Sequence, residues 1–220
     1  MDTDTAHRAW NQLWSTPAGR EGWIEPEHEV VQLANDLFLR RGARAALDLG
    51  CGVGRHALAL ARIGFSTTAM DLADAGLEQV RLAAEAERLA VTVVPAPMTD
   101  LPFADGSFDY VLAFNVIYHG RPEIVATALK EVRRVLRVGG VFQGTMLSKR
   151  SRAIQKGKEV APNTYIWESG EGDQIHPHFF CSGAELNVLM AGFEWLQLAD
   201  RMDAAFPDYW HWRFAAERSV

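Results

Sequence analysis

The segment LDLGCGVGRHALALA, residues 47–61, limits what this chain can fold into more than any other. A short apolar run carries Asp48, meets glycines at 50, 52 and 54, and passes into a stretch of alanine and leucine. That order predicts a buried strand, a tight turn and a helix. Glycine tolerates positive φ, and its missing Cβ lets another group approach the backbone closely. The helix start beyond the turn offers N–H groups to anionic ligand atoms.

The pattern continues on both sides. Upstream, EHEVVQLANDLFLRRG places Val30, Val31, Leu33, Ala34, Leu37 and Phe38 at helical spacing, with Gly42 as the stop. Downstream, RHALALARIG reads as a helix ending at Gly64, and FSTTAMD as a second strand ending in Asp71. A long Ala-, Leu- and Glu-rich helix follows, then VTVVPA as a third strand and YVLAFN as a fourth. RPEIVATALKEVRRVLRVGG is expected to be helical up to Gly139-Gly140, with VFQGTMLS as the fifth strand. Ser182 and Glu185 fit a capping box opening another helix, and EWLQLADRM and YWHWRFAAER read as two final strands of an antiparallel hairpin. Strands alternating with helices imply parallel pairing. The expected fold class is α/β: a doubly wound, mostly parallel seven-stranded Rossmann-like sheet with an antiparallel final strand. No linker divides residues 1–220, so one domain is expected, with an irregular or partly helical, tryptophan-bearing arm over 1–27 and a polar, irregular insertion or long loop over 149–180.

Charge and cysteine content exclude several functions. Lys plus Arg is 22 against 28 for Asp plus Glu, a net charge of −6, which disfavours nucleic acid as a partner. The basic run SKRSR at 148–152 reads as a solvated loop. Cys51 and Cys181 make neither a disulfide framework nor a four-cysteine zinc site, and a cytoplasmic location is expected. The acidic N-terminal stretch is not expected to act as a signal peptide, and no apolar run approaches the ~20 residues a spanning helix needs.

Two ligands suit the glycine turn. Gly52, Gly54 and Ala57 fit the dinucleotide pattern G-x-G-x-x-G/A, a weak signal alone. Asp48 is awkward beside a pyrophosphate and better placed beside an ammonium or sulfonium cation. Asp71, ending the second strand, suits ribose hydroxyls under either reading. An NAD(P)-dependent oxidoreductase and a catalytically inactive nucleotide-binding module are the alternatives to weigh.

LDLGCGVGRHALALA, followed by LPFADGSFDYVLAFNVIYH and ALKEVRRVLRVGGVF, resembles the class I S-adenosylmethionine-dependent methyltransferases, and within them the small-molecule group. The resemblance covers roughly residues 28 to 147. It implies S-adenosyl-L-methionine as cofactor and a small-molecule methyl acceptor, in a monomer or homodimer. It also implies site roles. Gly50, Gly52 and Gly54, with the backbone of Cys51, would cradle the methionine part, and Asp48 would hold its ammonium directly or through water. Asp71 would take the ribose hydroxyls, with Leu72 beside the adenine. Met98 and Thr99 would flank the adenine, and Asn115 would reach the methionine end. One departure stands out: where the family often carries an acidic residue four positions before the Leu of LPF, this chain has Pro97, and Asp100 lies in a different register.

Candidate groups around the acceptor lie where the chain leaves the plain sheet. Tyr118 and His119 follow the fourth strand, and His119 is the first choice as base or orienting group. His176 and His178 lie in the insertion. With Cys181 they form H-x-H-x-x-C, but no fourth ligand is near, so pocket lining is expected and no metal is assigned. Trp10, Trp14 and Trp23 are candidates for a lid that excludes water. Cys51 reads as a small packed residue, and Trp210 and Trp212 as packing on one strand face. No G-x-S-x-G elbow occurs, and NVIY stands where amino-methylating nucleic-acid enzymes carry asparagine–proline–aromatic.

Overall fold

The computed structural model describes residues 6–168, 172–204 and 207–220. Residues 1–5 of the arm, 169–171 of the insertion and 205–206 of the last connection lie outside them. The elements in chain order are α1 (Ala6–Trp14), α2 (Pro17–Arg20), α3 (His28–Arg40), β1 (Ala45–Leu49), α4 (Arg55–Ile63), β2 (Ser66–Asp71), α5 (Asp74–Glu87), β3 (Val91–Pro95) and β4 (Phe108–Ala113). Then come α6 (Pro122–Val135), β5 (Leu136–Ser148), β6 (Lys158–Ala161), β7 (Thr164–Ile166), β8 (His178–Cys181), α7 (Gly183–Leu189), β9 (Phe193–Met202) and β10 (Trp210–Arg218).

Seven strands of a ten-stranded sheet run in the order β3-β2-β1-β4-β5-β10-β9. Strands β1 to β5 pair in parallel, while β10 runs antiparallel to β5 and to β9, which is the expected class and hand of pairing. The central strands are buried on both faces: Leu47, Val111, Leu112, Phe142 and Ala215 have essentially no exposure. At the edge, β3 is half exposed and ends in Pro95, which the edge of a sheet tolerates. Helix α3 turns Val30, Ala34 and Leu37 inward at i, i+4, i+7 and ends at Arg40, ahead of Gly42 with φ of 67°.

Two expectations need correction. The helix over 121–140 stops at Val135, and Leu136 already belongs to β5. Leu136 is buried in the core, and its carbonyl accepts from the Arg218 guanidinium, so the extended chain is held from β10. Gly139 and Gly140 thus lie inside a 13-residue strand, where pairing with β4 slips register between Phe108 and Tyr110. The insertion over 149–180 is not irregular either. It holds a meander: β6 pairs antiparallel with β7, β7 with β8, and β8 joins the far end of β5 in parallel through Leu147 and Ser148.

The order of strands reverses between β1 and β4, where open α/β sheets leave a crevice beyond their carboxyl ends. The meander stands beside that crevice. Phe179 N–H donates to the Tyr118 carbonyl, Gly120 N–H to the Pro177 carbonyl, and His119 bridges His178 through the backbone.

Candidate active site

A cavity of about 980 Å³, counting its open mouth, fills the crevice. Its floor comes from the carboxyl ends of three strands: Leu49, Gly50 and Gly52 after β1, Met70 to Leu72 at β2, and Phe114 to Val116 after β4. The roof is the arm, with Trp10, Trp14 and Trp23 on the wall. Trp10 stacks on Trp14 and meets Trp23 edge-on, each at 5.2 Å between ring centres.

The turn after β1 is folded on its own hydrogen bonds. Gly50 and Cys51 N–H both donate to the Met70 carbonyl, at 2.7 and 3.0 Å, and Gly52 N–H donates to Asp71 Oδ2 at 2.9 Å. Gly52 has φ of 55°, and a Cβ there would sit 2.8 Å from the Trp14 ring, so only glycine lets the indole lie on the turn. Gly54 is off the cavity wall; it caps α4 and packs against Val80. Cys51 is also off the wall: its N–H is spent on Met70 and its side chain is buried.

Asp71 is on the wall with its carboxylate largely committed. Oδ1 accepts from the N–H groups of Leu72 and Ala73, at 2.7 and 2.9 Å, and Oδ2 from Gly52. A carboxylate has about four acceptor positions, so about one is left for a ligand hydroxyl. Burial pushes its pKa up, and the three N–H donors oppose that. Leu72, Met98 and Asn115 line the same cavity; Thr99 does not, and Asp100 is exposed and off the wall, as Pro97 is off it. Asn115 holds φ of 58°, its N–H donating to Thr145 Oγ1 at 2.7 Å while its Oδ1 accepts from that hydroxyl at 3.0 Å. A left-handed asparagine pinned by a neighbouring strand is the kind of constrained residue found at functional sites.

Asp48 sits behind the turn rather than on the wall. It is 2% exposed, its Oδ2 has no hydrogen-bond partner, and burial raises its pKa to about 7 against the pull of the Ala57 N–H and Arg55. Direct contact with a ligand ammonium is therefore not built; water or a shift of the turn would have to carry it. Arg55, which sequence reasoning passed over, is on the wall, and its guanidinium lies 3.7 Å from Glu27 and over the Trp23 ring. His56 is there too, accepting the Glu27 N–H at 3.2 Å; burial, then Arg55, lowers its pKa to about 3, so it is neutral.

A second cavity of about 690 Å³, again counting its mouth, adjoins the first. Trp10, Trp23, Asn115 and His119 line both. Tyr118 and His178 line the second, with Asp173, Asp203, Tyr209 and His211. Burial, then the nearby His178, takes the His119 pKa down to about 3, which leaves a neutral imidazole with a buried, unpartnered Nδ1. Burial moves the Tyr118 phenol well above its usual range, so it is no phenolate base near neutral pH. His176 lines neither cavity: its contribution is the carbonyl that His178 Nδ1 meets at 2.7 Å. Cys181 is a buried free thiol whose pKa burial raises to about 12; it lies off the cavity wall, and among the described residues His178 clusters with His119 and Asp173 rather than with His176 and Cys181. Asp173, Asp203 and His211 went unassigned in the sequence; for Asp173 the only available signal was its place three residues before His176.

A reversed strand order, a glycine turn under a tryptophan roof and an aspartate ending β2 define a Rossmann-like protein built to hold a nucleoside-bearing ligand. Residues 47–143 match the profile of a methyltransferase-domain family. The sterol 24-C-methyltransferase of Gibberella zeae is 28% identical over 184 residues, 81% of this chain and 47% of that protein. The demethylmenaquinone methyltransferase of Staphylococcus aureus is 36% identical over 121 residues, 52% of this chain and 48% of that one. The chain thus spans about half the length of these curated relatives. The Burkholderia thailandensis 1,6-didemethyltoxoflavin-N1-methyltransferase, solved with its substrate and S-adenosylhomocysteine, shares the fold with a TM-score of 0.71 at 20% identity, covering 98% of this chain and 89% of that one.

Proposed function

We propose that the first cavity binds S-adenosyl-L-methionine and the second a small-molecule acceptor, which is methylated by direct displacement. One observation carries this reading: two cavities meet at Asn115 and His119 on the carboxyl edge of the sheet, beside an Asp71 that keeps about one acceptor position open. The residues present fit the cofactor. Asp71 would take a ribose hydroxyl, Leu72 and Met98 would flank the adenine, and the turn at Gly50 and Gly52 would line the methionine end of the cavity.

When bound, S-adenosylmethionine supplies a sulfonium methyl open to in-line attack. The protein aligns the acceptor with that methyl and keeps water out, and alignment alone supplies much of such a rate. The acceptor's lone pair bonds to the methyl carbon as the carbon–sulfur bond breaks, its pair staying on sulfur. Neutral His119 at the junction orients the acceptor; with its pKa taken down to about 3 it does not hold a proton near neutral pH, so a proton that the acceptor carries passes to water. The arm acts as the lid. Methyltransferase relatives favour this over hydride transfer. Free cysteines fit a reducing cytoplasm, and nucleic acid is no part of the reading. Among the described residues no helix is long and apolar enough to cross a membrane.

Calorimetric titration of S-adenosylhomocysteine into wild type and Asp71→Ala tests it. Wild type should bind, and the variant should lose about 10- to 100-fold, the worth of a hydrogen bond to a charged group. Absent binding by wild type, or equal binding by both, refutes the assignment. Turnover on any acceptor excludes the inactive-module alternative.

A further inference from the structure

We propose that His119, Asp173 and His178 bind one divalent transition-metal ion in the wall of the second cavity, and that the ion takes a hydroxyl or thiol of the acceptor as its fourth ligand. The acceptor half rests on the assignment of that cavity above; the metal half rests on the three side chains alone.

They come from separate segments. His119 follows β4, Asp173 belongs to the 3-10 turn Gly172–Ile175, and His178 opens β8. One ligand atom from each lies within 4.8 Å of the other two. The backbone bridge between His119 and His178 holds the two imidazoles in register, their ring centres 4.7 Å apart. Trp167 meets the His178 ring edge-on at 5.4 Å, and Trp10 meets the His119 ring at 6.2 Å.

The His178–Asp173 contact is the informative one. Nε2 and Oδ2 are 3.4 Å apart, longer than an N–H···O bond of about 2.9–3.0 Å. Two atoms bound to one tetrahedral zinc at about 2.0–2.1 Å stand about 3.3 Å apart. His178 Nδ1 lies 2.7 Å from the His176 carbonyl, a contact that places a proton on Nδ1. Nε2 then turns a lone pair toward a carboxylate oxygen, and a cation between them resolves the clash. A backbone carbonyl on the far ring nitrogen is also the usual orienting partner of a metal-binding histidine. The three ligand atoms lie within 4.8 Å of one another, so the set contracts by at most about 1.5 Å to reach the spacing around a tetrahedral ion.

Two imidazoles and one carboxylate favour zinc, iron(II), cobalt or nickel over magnesium or calcium. Three protein ligands leave a position open, and all three residues line the second cavity, with His119 lining the first as well. A hydroxyl or thiol coordinated there is more acidic and loses its proton to water. Its oxygen or sulfur is then the atom that bonds to the methyl carbon as the sulfonium carbon–sulfur bond breaks.

The test uses untagged, chelator-treated full-length protein titrated with cobalt chloride and read by visible ligand-field absorption. Wild type should develop the bands over one equivalent and lose them to an equivalent of zinc. His178→Ala and the isosteric Asp173→Asn should each weaken cobalt binding by more than about 100-fold, beyond the cost of losing an outer partner. Both variants should still bind S-adenosylhomocysteine, which reports an intact fold. Wild type without bands, as an imidazolium–carboxylate ion pair would give, overturns the proposal; so do bands unchanged in both variants. Wild type that binds S-adenosylhomocysteine but no cobalt refutes only the metal. Wild type that takes cobalt at these residues but not S-adenosylhomocysteine refutes only the cofactor assignment.

Discussion

Asp48→Asn should make the protein more stable and a poorer binder of a cationic ligand. The aspartate is 2% exposed and has an unpartnered Oδ2, and burial raises its pKa from 3.8 to about 7. A shift of about 3 units corresponds to about 4 kcal/mol between protonation states. Because the folded pKa exceeds the unfolded one, the folded chain holds the extra proton between them, and stability falls as pH rises through that window. The penalty is under about 1 kcal/mol at pH 4, about 3 at pH 6 and about 4 at pH 8. Asparagine keeps the shape and removes the charge, so about 4 kcal/mol is the ceiling of its gain, less whatever the new amide leaves unpaired. At about 2–4 °C per kcal/mol for a chain of this size, Tm should rise by several degrees at pH 8 and hardly at pH 4. Scanning calorimetry of both proteins across that range measures it. S-adenosylmethionine should bind the variant more weakly than wild type at pH 8, while the uncharged thioether product shows a smaller change. A Tm difference that does not vary with pH, or a variant less stable at pH 8, would refute the argument.

Gly52→Ala forces a Cβ to within 2.8 Å of the Trp14 ring at a φ of 55°. The backbone strain alone is about 1–2 kcal/mol, so Tm should fall by about 2–8 °C, with the indole displaced and its fluorescence altered; unchanged Trp emission and affinity would count against the roof. Ser182→Ala removes the capping box of α7, where the serine hydroxyl accepts from Glu185 N–H. Stability should drop by about 1 kcal/mol in denaturant melts with S-adenosylhomocysteine affinity untouched. Phe142→Ala empties the centre of the core, where the ring packs on Phe193 and Phe214, and should cost about 3–5 kcal/mol in the same assay.

What was legible in the sequence is what the chain decides locally. The strand, turn and helix at 45–63 follow from a buried run, three glycines and an alanine-rich face, and Asp71 is found by counting one βαβ unit onward. The meander was missed because its strands are only three or four residues long and pair with distant segments; Thr164–Ile166 acquires its conformation from β6 and β8. The end of α6 was misplaced for a related reason. Leu136 has every local reason to stay helical, and it is held extended by its pairing with Phe108 of β4 and by the Arg218 guanidinium on its carbonyl. Asp48 follows the expected spacing, yet its burial, which raises its pKa to about 7, is set by the packed sheet around it and no local pattern reveals it. The Asp173–His178 contact exists because the 3-10 turn folds back, Trp167 N–H donating to the Gln174 carbonyl at 2.9 Å.

Trp10, Trp23, Asn115 and His119 form a party wall, common to both cavities. If the arm is the door to one compartment, it is the door to the other. Withdrawing Trp10 to release the spent nucleoside also unroofs the acceptor's side, so the two exchanges are tied to one event. Turnover would then be paced by how fast three clustered indoles separate and re-form, and a slow arm would hold both products inside together.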